Sequence, residues 1–151
     1  MIQLRRGVIE LVPFASITRL RVRFWRDVPG FLIQSFRSAR QAKRATGNLA
    51  VSVLRDTHRA FWTHTIWRDE AAMRSFMRPG AHRRVMARLP DWCDEAALVH
   101  WDQDADETPS WFEAHRRLRQ EGRRSKVNHP SKAHRRFEIR APRMSAELVF
   151  K

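Results

Sequence analysis

Residues 16–25 have the sequence SITRLRVRFW, and this stretch decides the fold. Its side chains alternate between two sides of the segment, one carrying Thr18, Leu20, Val22 and Phe24 and the other carrying Ile17, Arg19, Arg21, Arg23 and Trp25. An alternation with a period of two is typical of a β-strand whose faces meet different surroundings. Because a buried guanidinium needs a partner, the arginine side must meet acids, water or an anionic ligand.

A helix is predicted directly after this strand. Asp27 can cap the helix, and Pro29 is tolerated in its first turn. Apolar residues then recur at helical spacing as far as Gly47 and Asn48, which favour the end of a helix. One side of this helix can therefore pack on a sheet.

The following segments complete a recognisable order of elements. Residues 49–54 and 61–67 are rich in branched and aromatic side chains and are joined by a polar loop, which predicts an antiparallel hairpin. Asp69 can cap a second helix, and residues 96–101 form a last apolar strand. The sequence therefore predicts an α+β fold of the ferredoxin-like βαββαβ type, with a four-stranded antiparallel sheet and two helices.

The remainder of the chain is predicted to extend this unit. An acidic loop at residues 102–107 precedes a further helix that ends at Gly122, and the chain is polar and basic from there. We expect a ferredoxin-like domain over residues 1–108, with a C-terminal helix and basic arm over residues 109–151 packed on the same domain.

Composition limits the class of protein. The 151 residues include a single cysteine, Cys93, which cannot form an internal disulfide, so a reducing compartment is expected. No signal-peptide core is recognisable, and no apolar run reaches the roughly 20 residues that cross a bilayer. We expect a soluble, cytoplasmic protein that is not transmembrane.

The net charge of +14 is unevenly distributed. Residues 116–143 contain many lysines and arginines and only two acids, Glu121 and Glu138. This segment is predicted either to bind an anionic partner, such as nucleic acid or a membrane surface, or to be an ordinary solvated surface rich in arginine.

Several stretches between residues 16 and 103 resemble a known group of proteins. They are TRLR at 18–21, SARQA at 38–42, FWTHTIW at 61–67, DEAAMRSFM at 69–77, GAHRR at 80–84 and DWCDE at 91–95. Together they resemble small bacterial proteins of the antibiotic-biosynthesis-monooxygenase-like superfamily, including its spheroidene-monooxygenase-like branch.

The resemblance implies a homodimer in which two sheets face each other as a dimeric α/β barrel, with the helices outside. It also implies a cavity between sheet and helices for a small hydrophobic or aromatic molecule, and in some branches haem. The leading hypothesis is therefore a monooxygenase-like enzyme or binder, either cofactor-free or haem-dependent. Two alternatives stay open: a noncatalytic module that binds anionic partners through residues 116–143, and a structural dimer whose tail clasps its partner.

Candidate site residues follow from chemistry and position. His82 follows a predicted helix break at Pro79 and Gly80, where an imidazole can ligate haem iron or transfer a proton; the alternative is a capping or partly exposed histidine. Trp62 and His64 share one strand face and suit a flat aromatic ligand and a proton shuttle, although aromatic residues at such positions more often form the core or a dimer interface.

The remaining candidates come from the strands and from the loop before the last strand. Glu95 can act as a base if it is desolvated, and Arg21 can meet an acidic substrate or a haem propionate. The predicted catalytic residues are thus His82, His64 and Glu95, and the predicted substrate-binding residues are Trp62, Trp92, Arg21 and His100. Cys93 is expected to be a small buried apolar residue.

Several sequence signatures of cofactor sites are missing. The chain has no glycine-rich phosphate loop, nucleophile elbow, HExxH pair or carboxylate calcium loop. Flavin and nicotinamide therefore have no support, and the expected cofactor is none or haem.

Overall fold

An antiparallel sheet forms the centre of the computed structural model, which describes residues 2–5, 8–78, 80–103, 108–143 and 146–151. The elements, in chain order, are β1 (Ile2–Arg5), β2 (Val8–Leu11), β3 (Phe14–Val22), a short 3₁₀ turn (Trp25–Asp27), α1 (Val28–Arg44), β4 (Asn48–Arg55), β5 (Ala60–Trp67), α2 (Glu70–Met77), α3 (Gly80–Trp92), β6 (Cys93–Asp102), α4 (Trp111–Glu121), β7 (Arg123–Arg124), α5 (Lys132–Arg136) and β8 (Ala146–Phe150). Pro79, where a helix break is predicted, and residues 104–107 of the predicted acidic loop lie outside the described residues.

The strand order confirms the predicted fold class. β1 and β2 pair with each other, and the other six strands form one antiparallel sheet in the order β7-β6-β3-β5-β4-β8. Its four central strands have the order that the ferredoxin-like split βαβ unit requires. The sheet is two strands wider than expected because β7 and β8 add to its edges.

The first predicted strand ends earlier than the alternation indicates. The pairing of β3 with β6 shifts register between Arg21 and Val22, and β3 stops there. Trp25 consequently leaves the sheet for the 3₁₀ turn, where its side chain is 63% exposed. The alternating pattern thus continues in the sequence beyond the point where neighbouring strands provide hydrogen-bond partners.

The two faces of the sheet are covered by different elements. On one side, called the helix face, α1 and α3 pack over β3, β5 and β6 through residues such as Phe31, Phe61 and Leu89. On the other side, called the α4 face, Trp111 and Leu118 of α4 pack over a cluster on the strands. That cluster contains Ala15, Ile17, Leu54, Trp62, Ala97, Val99 and Trp101.

This arrangement bears on the expected homodimer. In the barrel that the resemblance implies, a partner sheet faces the side that the helices leave free, which is the α4 face. In this chain α4 covers the buried cluster on that face, and Phe137 and Ile139 pack against it. A partner would meet these elements rather than the buried cluster of the strands, and the homodimer stays a prediction.

The turn between α1 and β4 provides a test of the packing of α2. Gly47 has φ +86°, and a Cβ atom at this position would lie 2.7 Å from the Cβ atom of Ala72 in α2. We expect Gly47→Ala to lower the free energy of unfolding by about 1–3 kcal/mol, since it combines a left-handed backbone with a steric clash. Urea unfolding followed by circular dichroism measures this change.

Gly30→Ala is the matched control. Gly30 lies in the first turns of α1, and the nearest atom to an added Cβ is Trp92 Cζ2 at 3.8 Å. This variant should be neutral or should stabilise by up to about 1 kcal/mol, because alanine has the higher helix propensity. Equal effects of the two substitutions would contradict the packing of the turn against α2.

Candidate functional site

The sheet separates the seven predicted site residues into two groups. The α4 face carries Arg21, Trp62, His64 and Glu95. The helix face carries His82, Trp92 and His100. A single cavity cannot hold all seven, because the backbone of the sheet lies between the groups.

His64 is sealed beneath α4. Its side chain is 1% exposed, its ring centroid lies 6.2 Å from that of Trp111, and neither ring nitrogen has a hydrogen-bond partner among the described residues. Burial lowers the pKa of His64 to about 4. The imidazole is therefore neutral near pH 7 and closed to solvent, as a core residue would be.

Trp62 is held by a carboxylate at the hairpin. Its Nε1 donates a hydrogen bond to Asp56 Oδ2 at 3.0 Å, and its ring meets that of Trp111 edge-on at 6.5 Å. Asp56 Oδ1 also accepts hydrogen bonds from the backbone N–H groups of Thr57 and Arg143. Trp62 and Asp56 thus join the β4–β5 hairpin to the C-terminal segment.

Glu95 lies at the centre of a buried ion-pair network. Its Oε2 accepts from Arg19 Nη1 at 2.7 Å, and its Oε1 accepts from Arg21 Nη1 at 3.1 Å and from Ser131 Oγ at 2.9 Å. Burial raises the pKa of Glu95, but the Arg19 guanidinium, the Ser131 hydroxyl and Arg21 outweigh it, so the net pKa lies below the ordinary value. The carboxylate is therefore ionised and occupied by its partners.

His82 lies between α1 and α3. Its Nδ1 is 3.2 Å from Ser38 Oγ, its backbone N–H donates to Gln41 Oε1 at 3.2 Å, and its ring centroid is 4.6 Å from that of Phe76. Nε2 is buried and has no hydrogen-bond partner among the described residues, and burial lowers the pKa of the ring.

The remaining predicted residues pack on the helix face. Trp92 meets Phe31 edge-on at 6.3 Å, and Arg88 lies 4.8 Å above its ring. His100 lies 5.4 Å from Phe14, and burial, with Arg123, lowers its pKa. Trp92 therefore packs against Phe31, and His100 packs against Phe14.

Cys93 is fully buried beside these residues, as expected from the sequence. Burial, together with the neighbouring Asp94 carboxylate, raises the pKa of its thiol to about 12. Because the thiolate is the reactive form, this cysteine is chemically inert at neutral pH.

A cavity of about 420 Å³ lies elsewhere, at the end of the sheet beside the β4–β5 hairpin. This hairpin cavity is lined by Trp25, Val28, Leu32, Phe61, residues 55–59 and Ala146. One wall is therefore α1, another is the sheet, and the hairpin loop forms a polar rim. A second cavity lies between α1 and α2, and none of the seven predicted residues lines either one.

The rim of the hairpin cavity has an unusual backbone. His58 and Arg59 have φ values of +58° and +64°, a conformation that residues other than glycine adopt uncommonly. Arg59 Nε donates to the Val22 carbonyl at 2.9 Å, and its guanidinium lies 5.5 Å from the ring centre of Trp25. The sequence signals for this site are weak: an aromatic residue at the end of an alternating strand and a polar hairpin loop.

The geometry of His82 does not fit haem ligation. An axial histidine must present a ring nitrogen to the iron in an open pocket. Nδ1 of His82 faces Ser38, Nε2 is buried, and the residue lines neither cavity. No step of the chemistry proposed below passes through haem.

The described residues contain no group of three or more histidine, cysteine, aspartate or glutamate side chains that could hold a metal ion. Within the same residues, no helix combines the length and the apolar character needed to span a membrane.

The burial of His64 predicts a dependence of stability on pH. Its folded pKa of about 4 lies below the unfolded value near 6.5, so its contribution is complete above pH 6.5 and is lost as the pH falls through 4. Between about pH 7 and pH 4, we expect the wild type to lose up to about 3 kcal/mol more unfolding free energy than His64→Leu. Urea titrations at both pH values measure the difference.

His129→Leu is the matched control, because His129 is an exposed histidine of the C-terminal segment. This variant should follow the pH profile of the wild type. If His64→Leu also follows that profile, the inference that a neutral imidazole is buried under α4 is contradicted.

The chain matches a known protein family over most of its length. Residues 14–137 match the family described as "Domain of unknown function (DUF3291)". A search of curated proteins finds no match.

Solved structures share the fold at low sequence identity. SnoaB, a cofactor-independent oxygenase from Streptomyces nogalater solved as a variant, is 15% identical with a TM-score of 0.54, over 65% of this chain and 98% of its own. An antibiotic biosynthesis monooxygenase is 14% identical with a TM-score of 0.54, over 61% and 99% of the two chains. A conserved protein from Methanosarcina mazei Go1 is 12% identical with a TM-score of 0.56, over 62% and 95%.

The family match covers most of the chain, and the structural similarity covers between 61% and 65% of it. The protein therefore belongs to the family described as domain of unknown function DUF3291, and it has the fold of the antibiotic-biosynthesis-monooxygenase-like proteins.

Proposed function

We propose that this protein binds a small, flat aromatic molecule in the hairpin cavity. The observation that carries the proposal is the composition of its walls: Val28, Leu32 and Phe61 are apolar, and the indole of Trp25 lies at the mouth. The volume of about 420 Å³ falls within the range of roughly 300–1,000 Å³ typical of small-molecule sites.

Trp25 supports an aromatic ligand in particular. Its ring is 63% exposed although large apolar side chains are usually buried, and the Arg59 guanidinium lies close to it. An exposed indole offers a flat surface on which a second ring stacks, and the cation reinforces such an arrangement. The ligand would lie between Trp25 and the apolar wall of α1.

The polar rim supports a hydroxylated ring. Thr57, His58 and Arg59 line one side of the cavity, and each carries a group that hydrogen-bonds to a phenolic oxygen. A hydrophobic cavity with a few polar groups at one side fixes the orientation of its ligand. We infer that the hydroxyl group points to the hairpin loop and the ring to α1.

Oxygenation is the reaction that this ligand class favours. SnoaB, which shares the fold, is a cofactor-independent oxygenase. In our proposal His58, the imidazole among the lining residues, accepts the phenolic proton, and the electron-rich anion adds dioxygen at a ring carbon that bears hydrogen. The resulting peroxide takes the proton back from His58 and loses water together with the hydrogen of that carbon, which leaves a quinone and needs no bound cofactor. His64, His82 and Glu95 take supporting roles outside the cavity, because they do not line it.

The noncatalytic alternative keeps one observation in its favour. Arg116 and Arg117 are held by Glu113 and Glu121, whereas Arg119 and Arg123 are exposed and have no ion-pair partner among the described residues. Exposed arginines of this kind attract nucleic acid or an anionic membrane, and such binding weakens steeply with salt.

Trp25→Ala tests the binding proposal with naphthol as the probe. We expect the dissociation constant measured by isothermal titration calorimetry to rise roughly tenfold, because the stacking surface is lost. Phe112→Ala is the matched control: Phe112 is 72% exposed on α4 and far from the cavity residues in the chain. Naphthol binding that survives Trp25→Ala, or that both variants weaken equally, would contradict the proposed site.

His58→Asn tests the reaction. Asparagine tolerates the left-handed backbone at this position but is no proton acceptor, so the loop is kept and the base is removed. With dihydroxynaphthalene as the probe, dioxygen consumption at an oxygen electrode should fall by roughly 100-fold or more relative to the wild type, as expected for loss of a general base. Absence of consumption by the wild type, together with intact binding, would leave a binding protein and refute the oxygenase proposal.

A further inference from the structure

The cavity between α1 and α2 has a volume of about 710 Å³ and a different character from the hairpin cavity. Three arginines of α1, Arg37, Arg40 and Arg44, line it together with Thr46, Ser75 and Phe76. Among the described residues that line it, none is acidic. We call it the basic cavity.

The charges of the three arginines of the basic cavity are not balanced within α1. α1 contains no acidic residue, and none of the three guanidiniums forms an ion pair within the part of the chain that the structure describes. The two acids at the start of α2, the other helix of this cavity, are engaged elsewhere, since Asp69 pairs with Arg68 and Glu70 pairs with Arg74.

The three arginines are exposed, but their charge pattern differs from that of α4, another helix with an exposed basic side. On α4, the acids Glu113 and Glu121 lie on either side of the arginines, and Glu113 holds both Arg116 and Arg117. On α1, Arg40 and Arg44 are four residues apart and Arg37 and Arg40 are three apart, so like charges face each other. Such spacings destabilise a helix by a few tenths of a kcal/mol per pair, and a bound anion would relieve the repulsion.

The floor of the basic cavity is apolar and firmly held. Phe76 is 8% exposed and stacks on Trp67 at a ring distance of 5.1 Å. Gln41 connects the helices around it, since its Nε2 donates to the Phe76 carbonyl and its Oε1 accepts from the His82 backbone N–H. A ligand therefore meets a surface whose shape is already set, which reduces the entropy lost on binding.

We propose that the basic cavity binds an organic phosphate, with the phosphate group on the arginines and an apolar or aromatic body against Phe76. Guanidinium forks match the oxygen geometry of phosphate, and Thr46 and Ser75 supply hydroxyl donors beside them. The apolar floor adds affinity that inorganic phosphate cannot obtain. This site is separate from the hairpin cavity and does not rest on its proposed function.

Naphthyl phosphate is the probe. Inorganic phosphate and naphthol, which correspond to its two parts, are measured separately as reference ligands. Calorimetry at an ionic strength of about 0.15 M screens weak surface attraction. We expect the wild type to bind naphthyl phosphate roughly tenfold tighter than inorganic phosphate or more, because both parts of the cavity contribute.

The double variant Arg40→Gln, Arg44→Gln should weaken naphthyl phosphate at least tenfold and leave naphthol unaffected, since charge-assisted hydrogen bonds are lost. The matched control is Arg119→Gln, Arg123→Gln, which removes the same charge from exposed positions outside the basic cavity. The control should change naphthyl phosphate binding less than about twofold, because screening limits distant charges. Circular dichroism spectra confirm that both proteins are folded.

Three results would overturn the proposal. The first is equal weakening by the two double variants, which would indicate general attraction to a basic protein. The second is naphthyl phosphate binding no tighter than inorganic phosphate. The third is loss of naphthyl phosphate binding in Trp25→Ala with retention in Arg40→Gln, Arg44→Gln, which would assign the ligand to the hairpin cavity.

Discussion

The ion pair between Arg19 and Glu95 is the interaction on which the α4 face depends. Both side chains are almost fully buried, at 4% and 6% exposure, and a buried charge without a partner costs several kcal/mol. The pair joins the adjacent strands β3 and β6, and Arg21 and Ser131 add to the same carboxylate. Because Ser131 also caps α5, the network connects the centre of the sheet to the basic C-terminal segment. That segment is therefore part of the packed structure on this face.

Because the α4 face is closed, both cavities lie on the other side of the sheet. The aromatic residues Trp62 and Trp111 and the neutral imidazole of His64 fill the space beneath α4. Both cavities described above are lined by α1, the helix that packs on the opposite face. Its first turns present apolar side chains to the hairpin cavity, and its last turns present arginines to the basic cavity. One helix thus separates two environments of opposite chemical character.

The ferredoxin-like unit was accessible to sequence reasoning because its signals are local. Alternation marks β3, helical spacing marks α1, and the resemblance of residues 16–103 agrees with the fold of SnoaB and the antibiotic biosynthesis monooxygenases. The candidate site was less accessible. Histidines, a tryptophan and a glutamate attract attention by their chemistry, yet His64 and Glu95 satisfy packing and charge pairing inside the molecule. Trp25 and the arginines of α1 line the cavities. In the amino-acid sequence alone, nothing distinguishes them from ordinary surface residues.

The sequence by itself determined the order of strands and helices in the ferredoxin-like unit, the amphipathic character of α1 and the excess of positive charge. These are properties of neighbouring residues, since hydrophobic periodicity and capping act over a few positions along the chain. Only the tertiary structure decided which acid meets Arg19, which face of the sheet α4 covers and where cavities remain. Those outcomes depend on contacts between residues such as Arg19 and Glu95, which are 76 positions apart and are joined only when the sheet forms.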